Sequence, residues 1–151
     1  MKSIFNKSEQ DEIRQRLEKL RPNTPALWGK MNATEMLVHC TGATLMPMGD
    51  LPVKNVPFLI RWLIGKRVKK FVLREGPLRK NSPTAAELKN FTDIRDFEAE
   101  KQRFLAALNK IGTGRSAIKR ELHPFFGSMT PEEWGELNYK HTDHHFSQFG
   151  V

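Results

Sequence analysis

Three of the chain's five histidines, His141, His144 and His145, fall within the closing stretch "YKHTDHHFSQFGV". A neutral imidazole is both donor and acceptor, titrates near neutrality and is the commonest metal ligand among side chains. If this stretch is helical, His141 and His145 stand four apart on one face, with Cβ atoms about 6 Å apart, close enough for both rings to reach one metal ion. The same face carries Trp134, Asn138 and Gln148. Leucine would fill an ordinary core position there, so amides beside imidazoles read as a polar site within the core. His144 borders that face and, with Asn138 and Gln148, is read as supporting the metal-binding rings from around them rather than as a ligand.

A catalytic metal usually has three protein ligands and one open position. His39, in "NATEMLVHCTGATLM", is the natural third, since it also falls in the middle of a helical pattern. His123, in "HPFFG", is the other candidate, in the extended or turn conformation that the following Pro124 favours. The competing reading is structural, because histidines four apart also arise by chance and a lone histidine often packs in a core. An acid–base group beside a metal would come from Glu35, one turn before His39, or from His123. Glu35 has an alternative role as a helix cap, and His123 as the residue that fixes its own turn. Cys40 points about 100° round the helix from His39 and reads as a small buried hydrophobe.

The elements that must position these residues read as helices. Ser8 is a candidate cap for a first helix striped by Ile13, Leu17 and Leu20 and stopped by Pro22. Asn32 and Glu35 have capping-box spacing for the second, and Pro47, Gly49 and Pro52 end it. A basic segment from Phe58 to Arg74 is expected to be helical but interrupted at Gly65. A connection through "EGPLRKNSPTAAE" leads to a long helix from about Asp93 to Ile111, stopped by Gly112. The last helix opens at Thr130 with Pro131 and Glu133 behind it and runs to about Phe149. Strand patterning is lacking. The expectation is an all-α, antiparallel four-helix bundle over residues 1–151, one domain, with an extra amphipathic segment between helices 2 and 3.

At 38% hydrophobic and 28% charged, the 151-residue chain is of the globular class. It has no apolar run long enough for a transmembrane helix. Its charged N-terminal stretch lacks the apolar core of a secretory signal. A single cysteine fits a reducing compartment, and a cytoplasmic location is expected. The net charge of +8 is concentrated in residues 61–80, where eight Lys or Arg face Glu75 alone. Nucleic acid or anionic lipid could use such a stretch. The favoured reading is a solvated basic face on a segment that caps the core and steers an anionic substrate inward, with neither nucleic acid nor membrane as partner.

"LWGKMNATEMLVHC", followed far downstream by "HPFFGSMTPEEWGELNYKHTDHHFSQFG", resembles the DUF1569 family of the DinB/YfiT-like superfamily. The likeness covers most of the chain, including "KNSPTA" in the middle connection. It implies a metal-binding four-helix bundle with one histidine on the second helix and an H-x-x-x-H pair on the last, positions that fall on His39, His141 and His145. It also implies a divalent ion, zinc or nickel first, with iron, manganese or cobalt as the others. Relatives in the superfamily include thiol-dependent transferases or isomerases and proteins resembling small-amide hydrolases, and relatives often dimerise. The expected function is a divalent-metal-dependent transferase or hydrolase acting on a small molecule, with a low-molecular-weight thiol as partner substrate. A non-catalytic metal-binding or sensor module and a basic nucleic-acid-associated protein are the alternatives.

Overall fold

The computed structural model describes residues 2–82, 88 and 96–151. Its helices are α1 (Lys7–Leu17), α2 (Ala33–Leu45), α3 (Phe58–Ile60), α4 (Lys66–Leu73), α5 (Phe97–Ile111) and α6 (Pro131–Gln148). A 3-10 turn, Met46–Met48, extends α2, and a π-helical turn, Arg61–Gly65, joins α3 to α4. Two short strands, β1 (Leu122–His123) and β2 (Gly127–Ser128), form an antiparallel hairpin pairing Leu122 with Ser128 and His123 with Gly127. The chain is therefore mostly helical with a small two-stranded sheet. The expectation of no strand fails at this hairpin, which is too short for an alternating pattern to reveal.

Helix starts follow their capping chemistry. The Asn32 side chain accepts from the Glu35 backbone N–H, and the Glu35 carboxylate accepts from the Asn32 N–H, both at 2.9 Å. Thr130 and Glu133 repeat the arrangement at the start of α6, with Pro131 as its first residue. At α5 the Asp96 side chain accepts from the Ala99 N–H, 2.9 Å. The expected earlier start at Asp93, with Ile94, lies outside the described residues. Ser8 does not cap α1: Asn6 holds the N-cap position in extended conformation, and the Ser8 hydroxyl turns to Glu9 instead.

The core forms where these helices meet. Ile13, Leu17, Leu20, Met36, Leu37, Cys40, Phe104, Leu108, Ile111 and Phe146 are all buried within it. The α2 helix packs most extensively on α5 and also on α6, while α1 touches both α5 and α6. The N-terminal segment crosses α6, with Ile4 buried and its N–H donated to the Gly135 carbonyl, 3.0 Å. A smaller cluster of Met46, Val53, Met129, Trp134 and Leu137 fills the end nearest the hairpin. Trp134 is held there by its indole N–H, which donates to the Arg120 carbonyl at 2.6 Å.

Gly65 does not break the basic segment. The helix continues through it as a π turn, and Gly65 is the one residue of that turn that is buried. A Cβ there would lie 2.6 Å from the Phe125 carbonyl oxygen, so glycine lets the segment's backbone approach the hairpin. Gly65→Ala is expected to destabilise the fold by about 1–3 kcal/mol, because the colliding atom is backbone and cannot turn aside. Urea denaturation of the variant against wild type measures it.

Candidate metal centre

Two helices and two irregular segments build the polar site. α2 presents His39 and α6 presents His141 and His145, one turn apart as helical spacing requires. The three rings face each other pairwise, with centroids 4.8 Å apart for His39–His141 and 4.6 Å for the other two pairs. One nitrogen from each falls in a group whose members all lie within 4.8 Å of one another. His39 is fully buried, His145 is buried and His141 is half-buried.

The ring orientations follow from groups that can act in only one way. A backbone carbonyl only accepts, so the Leu88 carbonyl, 3.1 Å from His39 Nδ1, fixes that nitrogen as the N–H. His39 Nε2 then offers a lone pair to the centre. His145 is oriented through one more residue, Gln148. The Trp28 carbonyl lies 2.6 Å from Gln148 Nε2, so the amide nitrogen must face it. Gln148 Oε1 is thereby turned to His145 Nδ1, 2.8 Å away, which must donate. His145 Nε2 is left as the free acceptor. His141 Nε2 is 2.9 Å from His39 Nε2. Two lone pairs at that distance repel, so without an ion His141 supplies the proton between them. The donors also fit a cation: zinc–nitrogen bonds of about 2.1 Å at tetrahedral angles set ligand nitrogens about 3.4 Å apart.

Burial keeps the two α6 rings neutral, as ligation requires. Burial lowers the pKa of His145 to about 3, with the His39 imidazole the next cause. Burial also holds His141 well below its ordinary value, helped first by His145 and then by His39.

The other residues singled out by sequence lie in various places. His144 is half-buried outside the triad, its ring 5.7 Å from that of Trp28 and 5.1 Å from that of His145. Gln148 orients His145, as described. Asn138 is buried, but its amide donates along its own helix to the Trp134 carbonyl, 3.2 Å. Glu35 is occupied in the capping box of α2. His123 fixes its turn: its Nδ1 accepts from the N–H groups of Phe125 and Phe126 at 3.1 and 3.2 Å, and its ring stacks on Phe126. Burial, followed by the Arg120 charge, lowers its pKa to about 3. Cys40 is buried, with its thiol near Met36 Sδ at 3.6 Å and pushed up in pKa by burial.

Sequence reasoning missed Trp28, Gly29 and the Leu88 carbonyl. The chain at Leu27 lies along the end of α6, its N–H donating to the Gln148 carbonyl at 2.8 Å. Gly29 follows with φ +84°, and a Cβ on it would sit 2.3 Å from Gln148 Nε2. The signal was present in "LWGK", where a glycine follows the residue whose carbonyl holds the amide. A backbone carbonyl such as that of Leu88 leaves no mark in residue type.

The chain belongs to the DUF1569 family, described as "Protein of unknown function", whose pattern matches residues 4–150. No curated protein and no solved structure matches it.

Proposed function

We propose that this DUF1569 member is a divalent-metal-dependent enzyme of the DinB/YfiT-like type, a four-helix bundle whose three-histidine site transfers a low-molecular-weight thiol to a small electrophile. The observation that carries the reading is the convergence of His39, His141 and His145, with two of the three rings locked to present Nε2. An ion held there, zinc or nickel before iron, manganese or cobalt, supplies Lewis acidity that lowers the pKa of a bound water or thiol. Three neutral imidazoles leave its full charge to favour an anionic sulfur. In the reaction the thiol S–H bond breaks, its proton passes to solvent, and a carbon–sulfur bond forms as the leaving group departs with its electron pair.

Thiol transfer is favoured over amide hydrolysis by what the acid–base candidates are doing. Hydrolysis needs a base to take a proton from water and an acid to return it to the leaving amine. Glu35 is committed to capping and His123 Nδ1 to its turn. A thiol, far more acidic than water, needs less help. The chain's own contribution is to hold the ligand rings neutral and oriented. We place the protein in the cytoplasm, where such thiols are abundant, and expect a homodimer.

The test combines elemental analysis of natively purified protein with a screen of low-molecular-weight thiols against a chromogenic electrophile. Turnover that a chelator abolishes, and that His141→Ala lacks, is the expected result. Cleavage of small amides without thiol transfer would move the protein to the hydrolases. Tight retention of a thiol with no turnover would make it a sensor.

A further inference from the structure

Most basic side chains of the segment are exposed as expected, but its large apolar side chains are exposed with them instead of capping the core. Its backbone and one side are fixed to the body of the protein. Lys69 Nζ reaches Glu133 at 2.7 Å and the Ser128 carbonyl at 3.0 Å, so it is a clamp rather than part of a solvated face. Lys140 Nζ donates to the Val72 and Arg74 carbonyls at 2.6 and 2.5 Å. Val72 and Leu73 pack on the Trp134 cluster, and Gly65 lies against the hairpin backbone. The large apolar side chains point outward. Phe58, Leu59, Trp62 and Leu63 are 70, 62, 61 and 53% exposed, and Ile60, Ile64 and Phe71 join them. Soluble surfaces seldom carry so many large apolar groups together.

We infer that the segment from Phe58 to Leu73 is a docking surface for a bilayer bearing anionic headgroups. The occupant follows from the company these side chains keep. Lys66, Arg67, Lys70 and Arg74 are exposed beside them, and the Arg74 guanidinium lies 3.8 Å from the Phe71 ring centre. An apolar tip followed by a basic stem matches hydrocarbon beneath a negative headgroup layer. A nucleic-acid duplex has phosphates for the stem but nothing to receive Trp62, Leu63 and Ile64. A two-fold contact with a second copy would press the same basic row against itself. No helix among the described residues is long and apolar enough to cross a membrane, so the contact is peripheral. The histidines take no part in it.

Flotation with vesicles of phosphatidylcholine, alone or mixed with phosphatidylglycerol, tests this on the full chain. Wild type should float with the anionic vesicles, stay largely free of the neutral ones, and release as salt rises. Lys66→Glu/Arg67→Glu/Lys70→Glu should lower partitioning by at least on the order of a hundredfold, at about 1 kcal/mol per basic residue. Trp62→Ser/Leu63→Ser should also abolish flotation. All five positions are exposed, so both variants should keep the wild-type circular dichroism and metal content. Equal binding to neutral vesicles, or none to either, overturns the proposal. So does a dimer in sedimentation equilibrium that Trp62→Ser/Leu63→Ser dissolves while vesicles go unbound, or salt-sensitive binding of duplex DNA in their place.

Discussion

His39→Ala, His141→Ala and His145→Ala are each expected to emerge from identical dialysis with most of their divalent metal gone, and His144→Ala with its metal retained. Losing a residue that merely supports a ligand costs roughly 10- to 100-fold in affinity, and losing one of three ligands should cost more. His39 carries the most information, because it alone ties α2 to the site. Without it, two rings four residues apart on α6 remain. The His144 ring lies near those of Trp28 and His145 and is not in the nitrogen group that His39, His141 and His145 form. His123→Ala should also keep the metal while losing the acceptor for two backbone N–H groups. Metal per chain, with circular dichroism to show that each variant folds, is the measurement. Full metal in His39→Ala, together with loss in His123→Ala or His144→Ala, would mean that the third ligand is wrongly assigned.

That the triad and Gln148 could be anticipated, and Trp28, Gly29 and the Leu88 carbonyl could not, has a physical reason. Helical periodicity fixes relative direction along one element, so His141 and His145 had to share a face once Thr130, Pro131 and Glu133 marked the start of α6. Bringing His39 to them is a tertiary event. It was legible because a histidine stood mid-helix in an otherwise apolar pattern and because the end motifs resembled a known family. The caps at Asn32 and Thr130 were legible because capping is local. The turn role of His123 was one of two readings left open, and only the folded hairpin decides between them. The exposure of Lys66, Arg67 and Lys70 was legible in the basic segment, but that of Trp62 and Leu63 was not, because composition gives the residues of a face but not its direction. Gly65, read as an interruption, is a point of backbone approach to the hairpin. Leu88 could not have been found, because its contribution is a carbonyl that any residue carries.

Gln148→Leu is expected to weaken metal binding by about 10- to 100-fold although Gln148 offers no ligand to the ion. One end of the residue meets a carbonyl and the other an imidazole N–H, so the side chain must donate at one end and accept at the other. Leucine keeps the volume but leaves the Trp28 carbonyl without this donor, a loss of about 1–3 kcal/mol. It also frees His145 to carry its proton on Nε2, the nitrogen needed by the metal. Glutamate would accept well from His145, yet its second oxygen would face the Trp28 carbonyl, acceptor against acceptor, so Gln148→Glu should not rescue binding at neutral pH. The same arrangement can be broken from the other side. Gly29→Ala places a Cβ 2.3 Å from Gln148 Nε2 at φ +84°, so the amide must move and the hold on His145 slackens. Gly150→Ala is the control. It has a comparable backbone penalty at φ +70°, but its Cβ would meet nothing closer than Leu27 Cδ1 at 3.7 Å. Gly150→Ala should therefore lose about 1 kcal/mol of stability and bind metal as wild type does. Competition against a chromogenic chelator gives the affinities and urea melts give the stabilities. If Gly29→Ala and Gly150→Ala lose metal equally, the effect is general destabilisation and Gln148 does not set the His145 tautomer.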